Sequence, residues 1–186
     1  GTQRKIFRFN SLLQNSAPQF TCSIGKPLFF SVNPAQYTAE AAKSWEGSPS
    51  KVEVMFEPEE LGKIQDVLTL TSENGGEYKC TLFGECTPPL PQGPFDVSPG
   101  SKQALKLKFK NVFNTRKKFV YTVDHPAFSV NPQGNDINPK DSTNISVTFD
   151  ASKADTPILN GRLLISSPDA PDVPPWVYYI NGLSNP

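Results

Sequence analysis

The sequence predicts an all-β protein: two tandem copies of one β-sandwich, joined by a Pro-rich linker. Three observations carry this. Val, Ile, Thr and Phe recur in short alternating runs, and 19 prolines outnumber 12 glycines, which favours strands and turns over helices. The segment PLFFSVNP (27–34) returns as PAFSVNP (126–132), with Pro34 and Pro132 98 positions apart. The runs on either side of that segment also recur, in the same order.

Upstream, FTCSI (20–24) meets FVYTV (119–123), both with the period of a half-buried strand. Downstream, VEVMFEP (52–58) meets ISVTFDA (145–151). DVLTLTS (66–72) then meets GRLLISS (161–167), and YKCTLFG (78–84) meets WVYYING (176–182). Each copy holds about seven short strands in roughly 90 residues, the signature of an immunoglobulin-like sandwich. The domains are therefore 1–90 and 91–186. Between them lies CTPPLPQGPF (86–95), whose prolines stiffen the chain; its PxxP spacing reads as an interdomain hinge before it reads as a ligand for a Pro-binding domain. One asymmetry is expected. FDVSP (95–99) precedes ALKLKFKNVF (104–113) as a first strand of copy two, whereas copy one begins at KIFRFNSLL (5–13): its first strand either lies just upstream in the parent protein or is missing, leaving an open edge that accepts a strand from elsewhere.

Formal net charge is zero, which argues against a nucleic-acid binder. No apolar run approaches the roughly 20 residues that span a bilayer. Cys22, Cys80 and Cys86 make an odd set without a disulfide framework and read as reduced thiols.

The shared pattern is diffuse and mostly structural. It runs through Asn15 and Asn111, the FSVNP prolines Pro34 and Pro132, Val52-x-Val54-x-Phe56 against Ile145-x-Val147-x-Phe149, and Leu68-x-Leu70 against Leu163-x-Ile165. It closes on Leu82-x-Gly84 and Ile180-x-Gly182. This resembles the ASH domains of the PapD-like, major-sperm-protein-like group, found in tandem in Hydin-like cilia- and flagella-associated proteins. The match covers nearly the whole chain. Copy two departs from it at Asp150-Ala151, where copy one has Glu57-Pro58, and in the insert SPDAPDVPPW (167–176).

The residues offer little chemistry. His125, the one histidine, sits in the turn DHP without a nucleophile motif, and reads as solvated. Cys80 and Cys86 lack the spacing of a zinc site. SENGGEYK (72–79) reads as a hairpin turn, with Asn-Gly supplying positive φ. EPEELG (57–62) is a solvated acidic turn, and the acceptor Asn144-Ile145-Ser146 reads as unused. The cluster that stands out is basic. Lys106, Lys108 and Lys110 alternate with Leu105, Leu107 and Phe109, which lines the lysines along one outer face, and Arg116, Lys117 and Lys118 are expected in the turn that follows. Lysines there protect a sheet edge or form a docking face for an acidic partner.

The resemblance implies a non-catalytic structural and protein-docking module of an axonemal protein, supporting axoneme assembly or motility. Its partners would be other axonemal proteins, tubulin among them. It implies a cytoplasmic protein of the cilium or flagellum, without cofactor, metal, nucleic acid, membrane or small-molecule substrate. The alternative is a peptide-binding adaptor that recognises an acidic motif on the same basic face.

Overall fold

The computed structural model describes residues 1–99 and 104–184. It divides into two compact units, Gly1–Thr87 and Pro88–Pro186. Unit 1 holds β1 (Gln3–Ser11), β2 (Gln19–Ile24), β3 (Phe30–Asn33), β4 (Gln36–Thr38), β5 (Ser48–Phe56), β6 (Gly62–Ser72) and β7 (Gly76–Cys86). Unit 2 holds β8 (Gln92–Val97), β9 (Leu105–Lys110), β10 (Lys117–Val123), β11 (Phe128–Asn131) and β12 (Gly134–Ile137), then β13 (Ser142–Phe149), β14 (Ile158–Ser166) and β15 (Trp176–Leu183).

In unit 1 the strand orders are β1-β5-β3 and β4-β2-β6-β7. Unit 2 repeats them as β9-β13-β11 and β12-β10-β14-β15, with β8 added beside β15. Every named pair is antiparallel except β8 with β15, which is parallel. The repeated FSVN is the strand that ends one sheet, and the chain then changes sheets. β3 pairs with β5, and β4, three residues after Asn33, pairs with β2 of the other sheet. β11 and β12 do the same in unit 2. The Asn33–Pro34 and Asn131–Pro132 bonds are both cis.

Alternation along the strands puts the same aromatic contacts into both cores. Phe9 meets Phe20 edge-on at 5.4 Å, and Phe109 meets Phe119 at 5.0 Å. Phe30 tilts against Phe56 at 4.9 Å, and Phe128 against Phe149 at 5.2 Å. Tyr78 packs on Phe9 where Trp176 packs on Phe109, and its hydroxyl donates to the Asn10 carbonyl at 2.8 Å. Such pairs add to the apolar area buried with each ring.

The polar devices differ between the copies. Buried Asn111 donates from Nδ2 to the carbonyls of Thr115, Ile137 and Asn138 at 3.0, 3.0 and 3.1 Å, and its Oδ1 accepts from the Phe113 N–H at 2.9 Å. It thus ties the β9–β10 connection to the end of β12. Its counterpart by strand position is buried Ser11, whose hydroxyl has no partner, and not Asn15, which is exposed. Matching the two Asn-rich turns by residue type therefore misses the structural equivalence there.

The connection after β2 is held by Asp66 of β6, which accepts from the Gly25, Lys26 and Val67 N–H groups. In unit 2 the carboxylate comes from the other side. Asp124 accepts from the backbone N–H and Nε of Arg162, both at 2.7 Å. Desolvation raises the Asp124 pKa, but the hydrogen bonds and charge of Arg162 outweigh it and hold the carboxyl below its usual range. Tyr121, in the position of Cys22, is buried with an unpaired hydroxyl, and burial pushes its pKa up to about 12.

Turn expectations need two adjustments. In the β6–β7 hairpin the positive φ falls on Gly76 at 83°, not on Asn74. His125 is half-buried rather than solvated. Its Nδ1 accepts from the Ala127 N–H at 3.1 Å and its ring lies edge-on to Phe128, so it shapes the turn into β11.

Candidate protein-docking faces

Period two on β9 buries Leu107 and Phe109 and leaves Lys106, Lys108 and Lys110 exposed in a row. β9 is the outer strand of its sheet, so the row lies along an edge. Its cross-strand neighbours on β13 are uncharged: Ser146 opposite Lys106, Asn144 opposite Lys108 and Ser142 opposite Lys110. None of the three lysines has an ion-pair partner among the described residues. Unit 1 carries no equivalent row. The matching positions on β1 are Ile6, Arg8 and Asn10.

Arg116, Lys117 and Lys118 do not extend this face. Lys117 and Lys118 open β10, in the opposite sheet, and Arg116 sits in the connection just ahead of it. The Arg116 and Lys117 side chains are also engaged locally, as is the Lys118 backbone. Arg116 pairs with Asp136 at 3.1 Å. Lys117 lies over the Phe113 ring at 5.5 Å and donates to the Asp169 carbonyl at 3.4 Å. The Lys118 N–H donates to the Asp169 carboxylate at 2.7 Å, an anchor supplied by the insert between β14 and β15. Adjacency in sequence hides this, because the chain changes sheets between β9 and β10.

The second face is the free side of β7. In unit 2 the equivalent side of β15 is covered by β8, which buries Tyr178, Ile180 and Gly182. In unit 1 the matching Cys80, Leu82 and Gly84 are only half-buried, and Phe83 stands 77% exposed. A groove of about 390 Å³ opens there, lined by Phe7, Phe30, Val54, Phe56, Leu82 and Gly84 among others. The expected asymmetry in the first strand is therefore present as an uncovered edge. The size of the groove is not legible from the sequence, since it depends on how far the two sheets of the unit stand apart.

Among the described residues, no group of three or more His, Cys, Asp or Glu side chains is placed to hold a metal ion. No helix among them is long and apolar enough to cross a membrane. Cys22, Cys80 and Cys86 are free thiols.

The strand orders define each unit as an immunoglobulin-like β-sandwich, and the chain as a tandem of two. No family model matches the sequence. The chain is 40% identical over 143 residues to the hydrocephalus-inducing protein homolog of Homo sapiens, and 38% identical over 143 residues to the hydrocephalus-inducing protein of Mus musculus. Each match takes in 74% of this chain and 3% of the relative. Over that stretch the chain is similar to the hydrocephalus-inducing, or Hydin, proteins, in agreement with the resemblance read from the repeats. It spans about 3% of their length. Among solved structures it is similar to the Pseudomonas aeruginosa CupB2 chaperone, at 12% identity and TM-score 0.36 over 88% of this chain and 86% of that one. It is also similar to the D00-D0 domain of Intimin, at 5% identity and TM-score 0.42 over 98% of this chain and 100% of that one.

Proposed function

We propose that this chain is a non-catalytic structural and docking module of a ciliary or flagellar axonemal protein, and that Lys106, Lys108 and Lys110 form its contact for an acidic segment of a neighbour. The observation that carries the docking part is the unpaired lysine row opposite Ser142, Asn144 and Ser146. Three cations at strand spacing, without an ion-pair partner among the described residues, give a linear positive field that steers and orients an acidic chain. The relation to hydrocephalus-inducing proteins supports the axonemal setting. Acidic surfaces of axonemal proteins, tubulin tails included, are the partners this chemistry fits. The Arg116 and Lys117 side chains hold local structure in this reading.

The test is retention of axonemal proteins by the immobilised chain, compared with two variants: Lys106, Lys108 and Lys110 all changed to Glu, and Arg116, Lys117 and Lys118 all changed to Glu. Circular dichroism confirms that each folds. The β9 variant is expected to lose its partner at least about ten-fold, and retention by the native chain is expected to fall as salt rises. Equal retention by the native chain and the β9 variant would remove the lysine row as a docking site.

A further inference from the structure

Unit 2 contains the template for what covers the groove of unit 1. There β8 runs parallel to β15. Val97 is 1% exposed and sits in the core, while Phe95 lies against Tyr178 with ring centroids 6.3 Å apart. Just beyond β8, Pro99 bridges to Phe149 of the other sheet, so the segment seals the gap between the two sheets. Between Phe95 and Val97, Asp96 points outward and accepts from Asn181 Nδ2 at 3.2 Å.

Unit 1 has every surface for such a segment and no segment on it. β7 presents an unpaired row of backbone groups, and the groove beside it is apolar, through Phe7, Phe30, Val54, Phe56 and Leu82. Sheet edges of this kind accept an added strand, with main-chain hydrogen bonds for affinity and pockets for alternate side chains. One position differs informatively. Phe83 takes the place of Asn181, so the residue beside it on an incoming strand would be apolar rather than an aspartate.

We infer that the β7 edge of unit 1 is a strand-accepting groove. Its occupant is an extended segment of the same polypeptide, N-terminal to Gln3, running parallel to β7. An aromatic and an aliphatic side chain two residues apart enter the groove, and an apolar one between them lies beside Phe83. The source follows from the repeat. In unit 2 only residues 98–104 separate β8 from β9, and an offset of about 100 residues places the counterpart of β8 just ahead of β1. The relatives are many times longer than this chain.

The probe is the chain extended at its N-terminus. Residues 91–102 are placed directly ahead of Gln3, in place of Gly1 and Thr2, with valine at the position copied from Asp96. Backbone hydrogen exchange of Cys80–Gly84 is the readout. The extension is expected to slow the outward-directed amides of β7 at least about ten-fold. Changing the copied Phe and Val of the extension to Ser is expected to abolish that slowing while leaving β6 unchanged. Unchanged exchange in the extended chain, or equal protection by the Ser version, would overturn the groove. A third arm adds the same twelve residues as a free peptide at micromolar concentration to the chain without the extension. Tethering supplies an effective concentration in the millimolar range, so the free peptide is expected to protect far less. Equal protection by the free peptide would overturn the assignment to the same polypeptide and make the occupant a separate protein.

Discussion

Replacing Asn111 with Ala is expected to destabilise unit 2 by about 3 kcal/mol. The side chain is fully buried and fills both of its roles, donating to three carbonyls and accepting from the Phe113 N–H. Alanine removes these bonds and leaves the Ile137 carbonyl and the Phe113 N–H buried without them. Each orphaned group costs about 1–3 kcal/mol, against roughly 1 kcal/mol for an ordinary hydrogen bond lost to water. For a unit of this size, that corresponds to a fall in Tm on the order of 15 °C. Ser11 provides the internal contrast. It holds the matching position in unit 1 but its hydroxyl has no partner, so Ser11→Ala is expected to change stability by less than about 0.5 kcal/mol. Calorimetry of both variants, with the two units resolved, is the check. Equal effects at the two positions would show that the hydrogen bonds of Asn111 are not what holds the β9–β10 connection.

Gly182→Ala is expected to cost about 2–3 kcal/mol, for a reason that is steric and not conformational. A Cβ on Gly182 would overlap ring carbons of Phe149. Phe149 is itself buried and packed on Phe128, so its ring has little room to move. Phe149→Leu in the same chain should recover part of the loss, because residues in contact are coupled and their effects do not add. Gly84 and Phe56 repeat the arrangement in unit 1. There Phe56 borders the open groove, so its ring can shift and Gly84→Ala is expected to cost less. Urea denaturation of the three single variants and the double variant measures this. A double variant no more stable than Gly182→Ala would rule out the clash with Phe149 as the cause.

The fold is largely legible in the sequence because strand period and repetition reinforce each other. Phe20 and Phe119, Val54 and Val147, and Leu70 and Ile165 each fall on a core face, and matching them in order yields both the strand count and the equivalences. The glycines that close both copies are visible as a motif, but their reason is not, since it lies in a ring contributed by a strand far away in sequence. The lysine row on β9 is legible for the same reason as the core, as the other half of the alternation. Lys117 and Lys118, expected in the turn with Arg116, belong instead to β10, because no periodic signal marks the point at which a chain passes from one sheet to the other. The Ser11–Asn111 equivalence is hidden because two side chains of different chemistry occupy the same place. Asn15, which shares its residue type with Asn111, sits in solvent.

The chain repeats one sandwich twice, and the two copies part where the last strand is covered in one and open in the other. Residue-resolved hydrogen exchange on the native chain, comparing β7 with β15, measures that difference. An edge strand bonds through alternate amides only, whereas a strand with neighbours on both sides bonds through all of them. Alternating fast and slow amides are expected across Cys80–Gly84, and uniformly slow amides across Ile180–Gly182, beyond the register shift at Tyr179. Uniform protection along β7, matching that along β15, would contradict an open edge in unit 1.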